Sequence, residues 1–237
     1  IDFELYDNHP IDSKKLAAIL RQHTTLGFNS SNYDLPVIVA ALRGDTNSQI
    51  KQLSDDIINA PQVWPVLKKH KIVIPSAFDH IDIIEIPIGQ ASLKIYGGRL
   101  HAPKLQDLPI EPNAIISPEE RATLRLYCHN DLEVTRLLYE ALKPQIELRE
   151  KMGAQYDLDL RSKSDAQIAE SVIKHELEAK DIDCSRKAVK AGTTYKYTMP
   201  KHLKFKSQLF NELVAKIEAV SFTVGDNGQI ALPPELL

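Results

Sequence analysis

One long helical pattern, over residues 118–152, sets the strongest limit on what this chain can fold into. Pro144 is expected to interrupt the helix, because proline lacks the backbone N–H that the hydrogen-bond ladder needs. With 237 residues, the chain can bury a real core, either as one large domain or as one domain with a smaller appendage. The apolar positions that recur near the helical period are Leu124, Tyr127, Leu132, Val134, Leu137, Leu138 and Leu142.

Strand and helix patterns alternate in the residues before this helix. Short strands are predicted over 1–6, 24–28 and 80–85, and helices over 12–23 and 33–43. The other predicted elements are a largely helical stretch over 44–71, a short helix over 92–100 broken at Gly97-Gly98, and a proline-rich loop over 103–118. This alternation favours an α/β layer.

The C-terminal part of the sequence predicts a separate mixed unit. Its elements are helices over 165–179 and 207–219, and a hairpin that pairs 221–224 with 229–232 around Asn227-Gly228. We therefore predict an α/β domain over residues 1–156 and a small α+β appendage over residues 157–237.

Composition excludes several classes of protein. With 43% hydrophobic and 26% charged residues, the chain is neither disordered nor collagen-like. Cys128 and Cys184 lie far apart and outside any Cys-x-x-Cys pattern, which excludes a disulfide framework or a zinc ribbon. The apolar runs fall well short of the ~20 residues that span a membrane, and the start lacks a signal-peptide pattern. We expect a cytoplasmic protein with reduced thiols and no membrane partner.

The net charge of −3 hides an uneven distribution. Residues 186–206, the basic strip, contain seven Lys or Arg and no Asp or Glu, whereas the rest of the chain has 22 basic and 32 acidic residues. Tyr195, Tyr197 and Phe205 lie among the lysines, a mixture that suits phosphates and unstacked bases. The strip predicts nucleic-acid contacts at Lys196, Lys201 and Lys204, although a solvated surface or a lysine-protected β edge fits the same residues.

Two short strings carry the strongest functional signal. Residues 27–36, Gly-Phe-Asn-Ser-Ser-Asn-Tyr-Asp-Leu-Pro, form a predicted strand that runs into a polar turn, with Asp34 at the start of a helix. Residues 127–131, Tyr-Cys-His-Asn-Asp, place Tyr127 and Asp131 four residues apart, and therefore on one face of the long helix.

These strings resemble motifs II and III of the 3′–5′ exonuclease domains of DNA polymerases, the DEDD superfamily. Further strings over 80–82, 94–101 and 161–170 extend the resemblance to the N-terminal part of phage or prophage DNA polymerases. Leu126 stands where the histidine subtype has its histidine, so the chain resembles the tyrosine subtype. The resemblance implies a ribonuclease H-like mixed sheet flanked by helices, in a protein of the bacterial host cytoplasm.

The resemblance also implies a chemistry: metal-dependent removal of 3′ nucleotides from single-stranded DNA or a primer 3′ end, as proofreading beside a polymerase module. Two Mg²⁺ or Mn²⁺ ions activate a water and stabilise the departing oxygen in that mechanism, which requires several carboxylates. By position, the resemblance implies that Asp34 and Asp131 bind the metal ions. It also implies that the Tyr127 hydroxyl orients the attacking water. Asn29 and Tyr33 are expected to contact the nucleic acid.

Each of these residues also has a purely structural interpretation. Taken alone, Asp34 fits an N-cap, Asp131 an exposed helix carboxylate, Tyr127 a core residue and Asn29 a turn former. The occurrence of the strings in the family's order, on the expected elements, favours the functional interpretation. Asp82 lies on an alternating strand whose isoleucines face inward, and we expect it to be exposed and structural.

Motif I of the family, Asp-x-Glu on the first strand, is matched by Asp2-Phe3-Glu4. Only 29 residues lie between Glu4 and Asp34, and the predicted helix leaves too few of them for two more strands of ~5–6 residues. We therefore interpret residues 3–7 as the third strand of the fold. The true motif I is then expected upstream of residue 1, so that this chain alone would carry half a metal site and little activity.

Two rival functions fit the same sequence. An exoribonuclease of the same superfamily would share these motifs, because the choice between DNA and RNA depends on contacts to the 2′-OH. A non-catalytic domain that binds the primer strand or supports a polymerase would need only part of them. Four carboxylates converging near Asp34 and Asp131 would favour an enzyme, and two would favour binding or scaffolding.

Overall fold

The computed structural model describes residues 1–6, 9–185 and 189–236, which form a mixed α/β structure rich in helix, with small sheets. The chain divides into two compact units, Ile1–Ala179 and Lys180–Leu237. The boundary drawn from the sequence after residue 156 does not coincide with this division, because helix Asp165–Glu178 belongs to the first unit. No helix in the described part of the chain is both long and apolar enough to cross a membrane.

The elements largely follow the predicted order. The first unit contains α1 (Ser13–Gln22), β1 (Thr25–Gly27), α2 (Asp34–Arg43), α3 (Asn47–Asn59), α4 (Val63–Lys69), β2 (His80–Asp82), α5 (Leu93–Arg99), α6 (Pro118–Tyr156) and α7 (Asp165–Glu178). The second unit contains β3 (Thr194–Tyr195), α8 (Gln208–Ala219), β4 (Phe222–Thr223) and a short 3₁₀ helix (Pro234–Leu236).

Helix α6 runs unbroken through Pro144, so the predicted interruption is wrong. A capping box between Ser117 and Glu120 begins the helix. Proline inside a helix costs ~3 kcal/mol, but the buried side chains of Leu142 and Ile146 on either side anchor both halves in the same core. Tertiary packing therefore outweighs the local penalty.

Strands β1 and β2 pair in parallel, with Gly27 opposite Asp82. Their apolar side chains form one core with α5 and α6, which includes Ile81, Ile83, Tyr96 and Leu138. Because parallel neighbours end at the same edge of a sheet, the segments that follow β1 and β2 are adjacent. That edge is where the residues of the first functional string lie.

Helix α5 continues through Gly97 and Gly98, so the predicted break is also wrong. A Cβ added at Gly97 would lie 2.8 Å from a Val134 methyl group and 2.9 Å from Leu105. The missing side chain thus serves the close approach of α5 to α6, rather than a helix break.

The strand predicted over residues 1–6 does not form, and neither does the third strand placed at 3–7. Described residues 1–5 have no regular structure, and Tyr6 makes only an isolated bridge to His9; Asp7 and Asn8 lie outside the described residues. The alternating acidic residues serve another purpose, because Asp2 and Glu4 pair with basic residues of α6.

In the second unit, β3 pairs with β4 in antiparallel orientation, with Tyr195 opposite Phe222. The predicted hairpin closes at its turn, where Gly225 N donates to Gln229 O at 2.8 Å and Val224 forms a bridge with Ile230. The rest of its first strand, 222–223, pairs with 194–195 of the basic strip. Arg186 and Lys187 of the strip lie outside the described residues.

Candidate functional site

The turn between β1 and α2 holds the first predicted site residue, Asn29. Its backbone is left-handed, with φ of 58°, and its side-chain oxygen accepts a hydrogen bond from Asn32 Nδ2 at 3.1 Å. Asparagine tolerates this conformation better than most residues. Asn29 therefore has the turn-forming role that its sequence also allowed, and its contact with nucleic acid stays a prediction.

Asp82 anchors this turn and is the residue whose role the sequence misjudged. It is 4% exposed, so the expectation that it is exposed is wrong. Its carboxylate accepts hydrogen bonds from the backbone N–H groups of Asn29 and Ser31, both at 2.8 Å, and of Ile84 at 3.2 Å. A buried carboxylate needs such donors, and here the turn supplies them. Its position at the end of a strand parallel to β1 was the available signal.

Asp34 is the first residue of α2, and its side chain reaches solvent although protein surrounds much of its carboxyl group. It is not the N-cap, because that position belongs to Tyr33, which makes no capping bond with its side chain. Desolvation by the surrounding protein raises the pKa of the Asp34 carboxyl, and the nearby charge of Asp82 raises it further. A carboxylate disfavoured in this way gains from a neighbouring cation.

Tyr33 points its hydroxyl towards α3. The Tyr33 hydroxyl and Ser54 Oγ share a hydrogen bond of 2.8 Å, and the ring packs against the core formed with α3 and α4. The structure thus gives Tyr33 a packing role, and a contact with nucleic acid stays a prediction.

Tyr127 and Asp131 lie one turn apart on α6, as the spacing predicts. Both side chains are partly buried. Desolvation and the adjacent Asp131 carboxylate raise the pKa of Tyr127 to about 12. The phenol therefore stays protonated at neutral pH and keeps a proton with which to donate a hydrogen bond.

The pKa of Cys128 depends on residues from both functional strings. Desolvation raises the pKa of its thiol, and the charges of Asp131, Asp34 and Asp2 raise it further, in that order. Asp34 and Asp131 thus both act on one side chain, although 97 positions separate them in the sequence. The fold brings Asp34, the first residue of α2, into the neighbourhood of Cys128 in the first third of α6.

The N-terminal segment lies along the same part of α6. His129 Nε2 is 2.8 Å from Asp2 Oδ1, and Arg125 Nε donates to Glu4 Oε1 at 2.8 Å. The hydrogen bond from His129 lowers the pKa of Asp2. The Asp-x-Glu string is therefore near the site, but α6 already supplies a basic partner for each of its carboxylates.

Another ion pair lies near Tyr127. Lys94 on α5 pairs with Asp107 in the following loop, and the charge of Asp107 contributes to the raised pKa of Tyr127. This pair brings a lysine to the neighbourhood of the acidic groups.

The donor set suits a hard divalent cation only in part. Asp34 and Asp131 offer carboxylate oxygens, and Mg²⁺ in proteins is often held by one or two carboxylates with water and substrate phosphate. In the described residues, no group of three or more His, Cys, Asp or Glu side chains is arranged to hold a metal ion. Any ion held by Asp34 and Asp131 would therefore take its remaining ligands from water and substrate.

The predicted nucleic-acid residues of the second unit are on its surface. Lys196, Lys201 and Lys204 are exposed, and Tyr195 and Tyr197 keep 44% and 40% of their surface accessible.

Comparisons with protein-family models, with curated proteins and with solved structures found no match for this chain.

Proposed function

We propose that this protein is a metal-dependent 3′–5′ exonuclease of the ribonuclease H-like type, the proofreading part of a phage-type DNA polymerase. The observation that carries the proposal is that the carboxylates of Asp34 and Asp131, from two strings far apart in the sequence, both lie near enough to the Cys128 thiol to raise its pKa. Two carboxylates, a tyrosine and a polar turn at the end of a parallel strand are part of the set of groups that phosphodiester hydrolysis at a 3′ end uses. A site with two carboxylates instead of four is expected to hydrolyse slowly, and it equally suits the binding role considered below.

In this proposal, Asp34 and Asp131 hold Mg²⁺ or Mn²⁺, which supplies Lewis-acid activation of water and neutralises charge on the phosphate. Tyr127 remains a phenol at neutral pH, and its hydroxyl orients the attacking water. Asn29 belongs to neither the strand nor the helix. In this proposal, the turn that contains it faces the terminal nucleotide.

The test is digestion of single-stranded DNA labelled at its 5′ end, in Mg²⁺ or Mn²⁺, with an RNA of the same sequence in parallel. We expect slow shortening from the 3′ end, reduced ~10²- to 10³-fold in Asp131→Ala, because the lost carboxylate stabilised charge at the reacting centre. Tyr127→Phe should have a milder effect. Glu147→Ala, an exposed carboxylate further along α6, is the matched control and should digest like the original protein.

Equal digestion by the original chain and by Asp131→Ala would reject the site. Digestion of RNA but not of DNA would assign the exoribonuclease function instead.

The second candidate function is nucleic-acid binding without catalysis. It is favoured by the exposed lysines and tyrosines of the basic strip, which suit phosphates and unstacked bases. Binding that weakens steeply between 50 and 200 mM salt, with no digestion in either metal, would favour this function over the first.

A further inference from the structure

Asp82 ties together three segments at the edge of the β1–β2 sheet. Its Oδ1 accepts from the N–H groups of Asn29 and Ile84, its Oδ2 accepts from Ser31, and its own backbone N–H donates to Ser162 Oγ at 2.9 Å. Both carboxylate oxygens are therefore engaged by backbone donors, and the side chain has one fixed orientation.

The turn that Asp82 holds leads directly into Asp34. Ser30 O accepts from Leu35 N at 2.8 Å, which links the turn to the first residues of α2. Asn29 keeps its left-handed backbone while its N–H points to the carboxylate of Asp82. Moving that carboxylate would release the two N–H groups that define the turn, and would shift Asn29 and Asp34 with them.

Other carboxylates near the site have a different environment. Asp2 and Glu4 are paired with side chains of α6 and remain partly accessible. Asp82 is buried and bonded mainly to backbone groups, which suits a group that fixes geometry, since buried charge–backbone bonds resist movement.

We infer that Asp82 is a positioning residue of the site: its buried carboxylate sets the β1–α2 turn so that Asn29 and Asp34 face the reacting strand. The geometric part of this inference rests on the hydrogen bonds of the turn. The functional part, that the turn positions groups which bind metal and DNA, rests on the proposed function. Asp82 touches neither substrate nor metal in this role.

The experiment compares Asp82→Asn with Asp56→Asn. The replacement amide keeps the shape of Asp82 but has one acceptor oxygen where the turn needs two. Asp56 is the matched control, because its carboxylate also accepts several bonds, from Lys69 and His70 at 2.6 Å and from Gln52 at 2.9 Å, but it ties α3 to α4. Unfolding of both variants is measured first, so that any loss is compared at similar stability.

The first readout needs no activity. Amide hydrogen exchange at Asn29 and Ser31 should speed up about 10- to 100-fold in Asp82→Asn, because each N–H loses a charged acceptor. The same amides should be unchanged in Asp56→Asn. Unchanged exchange in Asp82→Asn would overturn the inference at its geometric step.

The second readout is Mn²⁺ binding, followed by paramagnetic broadening of amide signals over residues 29–35, together with kcat and KM for single-stranded DNA. Asp82→Asn should weaken Mn²⁺ binding and lower kcat about 10- to 100-fold, since small misplacements of reacting groups carry losses of this size. Asp56→Asn should change neither.

The outcomes separate this inference from the proposed function. If the original chain binds Mn²⁺ and digests DNA, and Asp82→Asn does both equally well, the positioning role is wrong while the function stands. If the original chain neither binds Mn²⁺ nor digests DNA, the proposed function and the positioning role both fail, whatever the exchange rates.

Discussion

The β1–α2 turn and the N-terminal segment both bring acidic groups towards α6, but they are held in different ways. The turn is fixed by a buried carboxylate that accepts backbone N–H groups, and by a His80 ring that lies between Thr25 Oγ1 and Ser30 Oγ, at 2.8 and 2.7 Å. Residues 1–5 have no regular structure and are tied to α6 by accessible side-chain pairs.

The difference matters for function. Buried bonds to backbone set one geometry and are insensitive to salt, whereas exposed ion pairs are weak and screened. A string that matches a motif in sequence therefore need not supply residues to the site. Asp2-Phe3-Glu4 is instead held on the surface of α6 by ion pairs. Three predictions test this contrast, from the largest expected effect to the smallest.

Gly27→Ala should disrupt the turn. A Cβ at Gly27 would lie 2.5 Å from Ser30 Cβ and would also overlap Ser30 Oγ, and the backbone of Ser30 is held by the turn. We expect a loss of about 1–3 kcal/mol in the free energy of unfolding, measured in urea.

Gly98→Ala is the control for that substitution. Gly98 lies within α5, and its nearest neighbour to an added Cβ is a Leu105 methyl group at 3.7 Å, an ordinary contact. Alanine there should raise stability by about 0.4–1 kcal/mol. Equal effects of the two substitutions would mean that the turn is not tightly packed.

The second prediction concerns pH. Burial lowers the pKa of His80, with Asp82 and Asp79 acting in the opposite direction. A histidine whose pKa is lowered by folding gives full stability above its unfolded pKa of about 6.5, and this stability is lost as the pH falls through 6.5 towards the folded value.

The free energy of unfolding should therefore decrease between pH 7.5 and pH 5, as measured by urea titration. His80→Gln cannot titrate and should flatten the profile in this window. A profile of the same slope in both proteins would show that His80 does not couple the turn to pH.

The smallest effect is expected from Glu4→Gln. The carboxylate of Glu4 is 32% exposed and its partner Arg125 is 45% exposed, and pairs of this kind contribute ~0–1 kcal/mol. The loss in unfolding free energy should shrink further in 0.5 M NaCl, at which screening is strong (the Debye length is below ~8 Å). Glu147→Gln serves as the surface control. If Glu4→Gln lost more unfolding free energy than Gly27→Ala, the comparison between the two regions would be reversed.

Most helices and the central strands were predictable because their signals are local. Asp12 caps α1, Ser117 and Glu120 cap α6, and the polar turn after β1 is written in Asn29 to Asn32. The same local spacing predicts that Tyr127 and Asp131 share a face of α6. These features need no knowledge of what packs against them.

The rest depends on contacts between distant residues. Pro144 stays helical because Leu142 and Ile146 are buried on either side of it. Residues 222–223 pair with 194–195, a distant segment, while the local hairpin keeps only its turn and the bridge between Val224 and Ile230. The periodicity of a segment gives no information about which distant segment will pack or pair with it.

The sequence by itself determined the helices, the β1–α2 turn and the face shared by Tyr127 and Asp131, since caps, turn residues and helical spacing act over a few residues. Only the tertiary structure decided that Asp82 is buried under the turn, that Asp2 and Glu4 pair with α6, and that Asp34 reaches the surroundings of Cys128. Burial and charge pairing depend on what the rest of the chain brings near each group, and this is settled by packing.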